Sequence, residues 1–186
     1  FAGYTLSVEI DPGHSDSATS TKGGSGDGGN TGGDTTQSGY NWALTGSPMD
    51  GVNVGVGYGK EENQIATLDD ESYTTGFVTY AMGGLTVGYQ MSENNGGTAG
   101  ETNHNVEIYG ASFAVNDNLA ISVNQMDTEF DKASGTNVTE ETAGVGISYT
   151  MGSASLRLLT AETDNKGGAT TAKSVEHTEI SLLLAF

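Results

Sequence analysis

The sequence predicts an all-β protein, a transmembrane antiparallel up-and-down β-barrel built as a single domain over residues 1–186, with ten strands in this chain. Three observations lead there. Apolar residues recur with period two, which is the mark of a strand with one apolar face. The connections between those strands alternate strictly between short turns and long polar loops. The composition leaves little else: 34% of residues are apolar, 29 are Gly, only two are Pro, and no stretch approaches the roughly 20 apolar residues that a membrane helix requires.

The strands follow in order. Tyr4, Leu6, Val8 and Ile10 alternate with Thr5, Ser7, Glu9 and Asp11, which defines a first strand at 4–11. Tyr40, Trp42 and Leu44 give 39–46, and Val52, Val54, Val56 and Tyr58 give 51–61. A fourth strand is read at 71–81; Leu85, Val87, Tyr89 and Met91 then give 85–93. Two more lie at 104–115 and at 118–129, the latter carrying Leu119, Ile121 and Val123. Ala143, Val145, Ile147, Tyr149 and Met151 place the eighth at 140–151, followed by 154–164. Ile180, Leu182, Leu184 and Phe186 share one face of the last strand, 175–186. Two places fit poorly, because Tyr73 and Phe77 fall opposite to Val78 and Tyr80, and the alternation breaks at Gln125-Met126-Asp127. A bulge or a subunit contact would account for either.

Short connections run from Ser47 to Asp50, Met82 to Gly84, Asn116 to Asp117 and Gly152 to Ser153, rich in hairpin turn residues. Long ones run from about Pro12 to Ser38, Glu62 to Asp70, Asn94 to Asn103, Asp131 to Thr139 and Asn165 to Ser174. Tight turns at one end, long loops at the other and crossings of about 9–11 residues are properties of outer-membrane barrels. Lipid demands apolar side chains, whereas a hydrated lumen accepts Gly, Ser, Thr, Asn and charge, so the second face points inward. Tyr80, Phe113, Tyr149 and Phe186 gather beside the short turns, where an interfacial aromatic girdle belongs. A soluble half-buried sheet is the alternative, and it would carry Lys and Glu on its polar face instead of Gly, Ser and Thr.

The formal charge is −18, from six basic and 24 acidic residues, which excludes nucleic acid as a partner and favours cations. Absence of Cys excludes disulfides, thiolate metal sites and a Cys nucleophile. The short turns follow an aromatic residue by two or three positions, as in Tyr80-Ala81-Met82-Gly83 and Tyr149-Thr150-Met151-Gly152, and the chain opens Phe1-Ala2-Gly3-Tyr4. Phe1 therefore reads as the end of a preceding strand, and the chain as the C-terminal part of a longer barrel. A complete ten-stranded barrel is the alternative, since an even count also returns both ends to the short-turn side.

The final strand, Glu176-His177-Thr178-Glu179-Ile180-Ser181-Leu182-Leu183-Leu184-Ala185-Phe186, and hairpins such as Gly83-Gly84-Leu85-Thr86-Val87-Gly88-Tyr89 resemble the general porins of Gram-negative outer membranes, most closely the alphaproteobacterial type. The resemblance runs along the whole chain as a pattern, with only the last strand specific. It implies a homotrimer of sixteen-stranded barrels, of which these are the last ten strands. It also implies passive diffusion of ions and small hydrophilic solutes, no enzymatic activity, and Phe186 as the signal read by the outer-membrane assembly machinery. The loop that narrows the lumen in such porins lies earlier than these strands reach.

Candidate site residues are the polar ones on the inward face. Arg157, the only arginine, lies there between Leu156 and Leu158, with Glu9, Gln90, Asn124, His177 and Glu179. Together they are expected to line the pore and set a transverse field; the alternative is a set of wall charges remote from the constriction. No cofactor is expected beyond a loop-bound Ca²⁺ or Mg²⁺. The run Gly23-Gly24-Ser25-Gly26-Asp27-Gly28-Gly29-Asn30 only faintly resembles a calcium-binding repeat, lacking its spacing and a second copy. Adjacent acids Asp69-Asp70, Glu61-Glu62 and Glu140-Glu141 are candidates for divalent ions bridging to lipopolysaccharide phosphates in the surrounding outer-membrane lipid. His14, His104 and His177 lie near loop-side strand ends, where ten-stranded outer-membrane proteases hold theirs. A rim hydrolase is thus a second class of function, and a structural or adhesive barrel a third, although no compact spacing proposes a general base with a held nucleophile.

Overall fold

In a computed structural model, which describes residues 3–12, 14–15, 35–36, 38–62, 69–96, 102–132, 134–169, 171 and 174–185, the period-two segments form one ladder. The elements are β1 (Tyr4–Asp11), β2 (His14–Ser15), β3 (Thr35–Thr36), β4 (Gly39–Met49), β5 (Val52–Glu61), β6 (Glu71–Met82), β7 (Leu85–Asn95), β8 (Thr102–Ala114), β9 (Leu119–Lys132), β10 (Val138–Met151), β11 (Ala154–Asp164) and β12 (Val175–Leu184). Ten of them pair antiparallel with their sequence neighbours in a single up-and-down sheet, ordered β1-β4-β5-β6-β7-β8-β9-β10-β11-β12. β1 and β12 form its two edges and do not pair with each other. β2 and β3, which the sequence did not suggest, make a two-residue clasp inside the segment joining β1 to β4. Phe1, Phe186 and the run Gly23 to Asn30 lie outside the described residues, as does the side chain of His14.

The short turns match their chemistry. Gly51 and Gly83 adopt φ of +77° and +60°, and a Cβ on Gly51 would meet the Ala81 carbonyl oxygen at 2.3 Å, so both conformation and space call for glycine there. Asn116 closes its turn through Oδ1, which accepts the backbone N–H groups of Asn118 at 2.9 Å and Leu119 at 3.0 Å. The sheet's register shifts at Gly46/Met49, between β4 and β5, next to Pro48, which has no N–H to give the ladder. The break expected at Gln125-Met126-Asp127 is absent: β9 pairs in unbroken register with both β8 and β10. What changes there is composition, because the outward face of β9 leaves its apolar stretch at Val123 and continues as Gln125, Asp127 and Glu129.

No hydrophobic residue is buried among the described residues. Most of the large apolar side chains stand on one face of the sheet, with Val78 and Ile147 still about two-fifths exposed in the middle strands, and Ile10 and Ile180 72% exposed at the two edges. Covering a Val, Leu or Ile side chain is worth about 1.5–3 kcal/mol. A one-layer sheet has no second layer to provide that cover, so its apolar face is stable only against hydrocarbon. On β10 that face runs from Met151 to Ala143, about 26 Å along the strand at roughly 3.3 Å per residue. At a tilt near 45° this spans about 19 Å of membrane depth, about three-quarters of the roughly 25 Å apolar band of outer-membrane barrels.

Candidate pore-lining face

Antiparallel pairing keeps directly opposed residues on the same side of a sheet, so the register assigns every side chain to a face. Glu9 opposes Asn41, and the row continues through Gly59, Tyr73, Asn94, His104, Phe130 and Val138. Gln90 sits two rows nearer the short turns, between Phe77 and Ile108. Asn124 and His177 share the next row, through Gly144 and Ala161. Glu179 opposes Leu159, and Arg157 lies between Ser148 and Ser181. All six residues singled out in the sequence therefore project from one face, the one opposite to the apolar band.

Their surroundings differ. The Asn41 amide donates to a Glu9 carboxylate oxygen at 3.0 Å, and the Gln90 amide reaches the Ser92 hydroxyl at 3.4 Å. His177 Nε2 stands 3.8 Å from a Glu179 oxygen, an ion pair only when the imidazole is protonated. Arg157 and Glu179 are diagonal neighbours on adjacent strands, both exposed, a spacing that long side chains can span. Thr and Ser side chains fill the wall between them: Thr75 with Ser92 at 2.9 Å, Thr142 with Thr163 at 3.0 Å and Thr150 with Ser155 at 3.0 Å.

This face is less uniformly polar than period two suggested. Phe77, Ile108 and Met126 occupy one register row with Gln90, and Tyr73, Val106 and Phe130 lie just above. Phe77 lies against Gly55, where a Cβ would come within 2.2 Å of the ring, so the missing side chain is what lets the ring lie down on the wall. Beside it a shallow hollow of about 290 Å³ opens over Gly88 and Gly110, lined also by Thr79, Gln90, Ile108 and Ser112. The misplacement of Tyr73 and Phe77 noted in the sequence was the signal of this patch.

The acid pairs fare differently. Glu140 and Glu141 are successive strand residues and so face opposite sides, which rules out their sharing one ion. Asp70 meets the Lys60 ammonium at 2.7 Å, and Glu62 accepts the Ser38 hydroxyl. The carboxylates that do come together are ones that no sequence spacing flagged: Glu107, Asp127, Glu141 and Asp164 oppose one another across four strands on the outward face, above the apolar band. Among the described residues no group of three or more His, Asp or Glu side chains is arranged to hold a metal ion. His104 packs edge-on against Phe130 with ring centroids 4.8 Å apart, four strands from His177, so these two histidines form no common centre.

No curated protein sequence matches the chain. Among solved structures, the one described as outer-membrane expressed OmpT of Vibrio cholerae aligns with a TM-score of 0.56 at 13% identity, over 79% of this chain and 54% of that one. At that identity the likeness is one of fold, and this chain spans about half of that structure's length. The sequence matches the Gram-negative porin family over residues 1–168 of 186. With a ten-stranded antiparallel sheet whose one face is apolar and unburied and whose other is mostly small and polar around one apolar patch, the chain belongs to the Gram-negative porin family of the bacterial outer membrane.

Proposed function

We propose that the chain forms part of the wall of a water-filled channel through which ions and small hydrophilic solutes diffuse passively, with a weak preference for cations. The observation that carries this is the register itself. Glu9, Gln90, Asn124, Arg157, His177 and Glu179 fall on one face with most of the sheet's Gly, Ser and Thr, back to back with an apolar band. The acidic surplus favours cations by raising their concentration near the mouth within a Debye length, roughly 8 Å at physiological salt.

Free backbone groups cannot face hydrocarbon, so the edges β1 and β12 need strand partners in the membrane. In our reading those partners come from a longer chain, of alphaproteobacterial general-porin type, making these ten the last of sixteen strands in a homotrimer. Phe186 would be its recognition signal for the assembly machinery. The outward row Glu107, Asp127, Glu141 and Asp164 shares a face, unlike Glu140 and Glu141, and in our reading attracts divalent cations toward lipopolysaccharide phosphates as a spread of negative charge rather than as one ligand set. A hydrolase at the rim finds less support, because His104 packs against the Phe130 ring and stands four strands from His177.

The experiment is reconstitution of the purified outer-membrane protein in a planar bilayer. Stepwise unitary currents without added energy are expected, together with a reversal potential that favours K⁺ over Cl⁻. A folded protein that gives no steps, or that cleaves peptides, would overturn the reading.

A further inference from the structure

The connection from β11 to β12 takes an unexpected route. β12 pairs on one side of β11 and β10 on the other, so a plain hairpin would close away from β10. Instead, Asn165 donates its side-chain amide to the Thr139 carbonyl at 3.0 Å, and the Gly167 N–H donates to a Glu140 carboxylate oxygen at 2.5 Å. The Lys132 ammonium donates to the Gly168 carbonyl at 3.1 Å, and Gly168 is buried against the ring of Phe130. Thr139 and Glu140 are on β10, Phe130 and Lys132 on β9, so the loop reaches back over two strands, about 10 Å.

The direction of that excursion is fixed by the register. Glu140, Phe130 and Lys132 all occupy the face of Asn124, Arg157 and His177, because Glu140 opposes Thr128, Phe130 opposes Val138 and Lys132 lies two residues beyond Phe130. The loop therefore lies on the inner side of the wall. Its backbone is built to turn there: Asn165, Gly167 and Gly168 have φ of 52°, 70° and 66°, and the Ala169 N–H closes on the Asn165 carbonyl at 3.2 Å. A Cβ on Gly168 would lie 2.7 Å from the Phe130 ring, so the contact as well as the φ requires glycine.

We infer that the segment Asn165–Ala169 is a folded-in constriction element of the channel mouth, clamped by Glu140 and Lys132 as positioning residues and seated on Phe130. The inference rests on the channel reading above and adds a narrowing element supplied by this chain itself. A hydrogen bond to a charged acceptor or donor is the stronger kind, and losing one shifts a local equilibrium by about tenfold or more. Removing the Glu140 clamp should therefore raise the fraction of time spent with the loop lifted by that factor, seen as a higher-conductance level.

Two variants separate the clamp from a simple lumen charge. Glu140→Gln removes the charge and keeps a carbonyl oxygen to accept the Gly167 N–H, while Glu140→Ala removes both. The complete protein is studied in planar bilayers at about 1 M salt, where the Debye length is near 3 Å and charge effects are muted. The expected result is an enlarged or flickering unitary conductance in Glu140→Ala and in Lys132→Ala, with Glu140→Gln close to wild type. A third variant with residues 166–168 excised should lock the channel at the high level. If Ala and Gln at position 140 behave alike and the excision leaves conductance unchanged, the loop is no constriction and the inference fails. Wild-type steps of normal size in the same recordings would show that the channel reading had survived that failure.

Discussion

Along β10 the two faces carry opposite chemistry at every step. Ala143, Val145, Ile147 and Tyr149 stand on one side, and Thr142, Gly144, Gly146 and Ser148 on the other. One rotation of the chain by a single residue thus separates a surface that needs lipid from one that needs water. Toward the loops the contrast changes in kind. Glu141 joins a row of outward carboxylates, while its neighbour Glu140 turns inward and holds a loop. Proximity in sequence says little about partnership here, and proximity across the ladder says almost everything.

The sharpest way to break that contrast is to put the same charge on each face in turn. Val145→Arg places a guanidinium within the apolar band, where the cost is about 2–4 kcal/mol near the bilayer midplane. Ser148→Arg places it on the inner face beside Arg157, and like-charge repulsion across water costs only about 1 kcal/mol or less. Equilibrium unfolding in lipid vesicles should separate the two variants by roughly that difference. Equal destabilisation would mean that the faces have been assigned wrongly.

Most of the fold could be read from the sequence because period two and turn chemistry are both local signals. Strand limits agree to within two or three residues throughout, and Leu119, Ile121 and Val123 needed no tertiary information. The candidate site was legible as a face, since Arg157 and Glu179 inherit their side from flanking Leu and Ile. Cross-strand facts were not legible. Which carboxylates meet, and that the loop after β11 folds back over β9, depend on register between strands far apart in sequence, as with Lys132 and Gly168, 36 residues apart. The apparent fault at Met126 has the same origin, because the outward face had simply passed beyond the apolar band.

A smaller effect sharpens the picture of the inner wall. Gly55 exists to admit the Phe77 ring, so Gly55→Val should overpack that spot and cost about 1–3 kcal/mol. Combining it with Phe77→Ala should recover most of the loss, because the ring that clashes has been removed. A double-mutant cycle by thermal or denaturant unfolding would show strong non-additivity. Additive losses would mean that the ring does not rest on Gly55.

The smallest expected effect concerns the charges within the lumen. Arg157 lies four residues beyond Ser153, about 10 Å above the short-turn edge at a tilt near 45° and roughly 3.3 Å per residue. It is exposed, and no described residue forms an ion pair with it, so in the channel proposed above its field would reach passing ions. Glu179 is its diagonal neighbour and carries the opposite sign. Replacing Arg157 by Ala should therefore increase the preference for cations, and Glu179→Gln should reduce it. Water in the lumen weakens both, since two unit charges 4 Å apart interact by about 1 kcal/mol in a dielectric of 80. Salt weakens them further, so the shifts in reversal potential should shrink steadily between about 0.1 M and 1 M. If neither substitution moves the reversal potential at low salt, ions pass too far from this part of the wall to feel it, and selectivity must be set higher up, where Glu140 and Lys132 hold the loop.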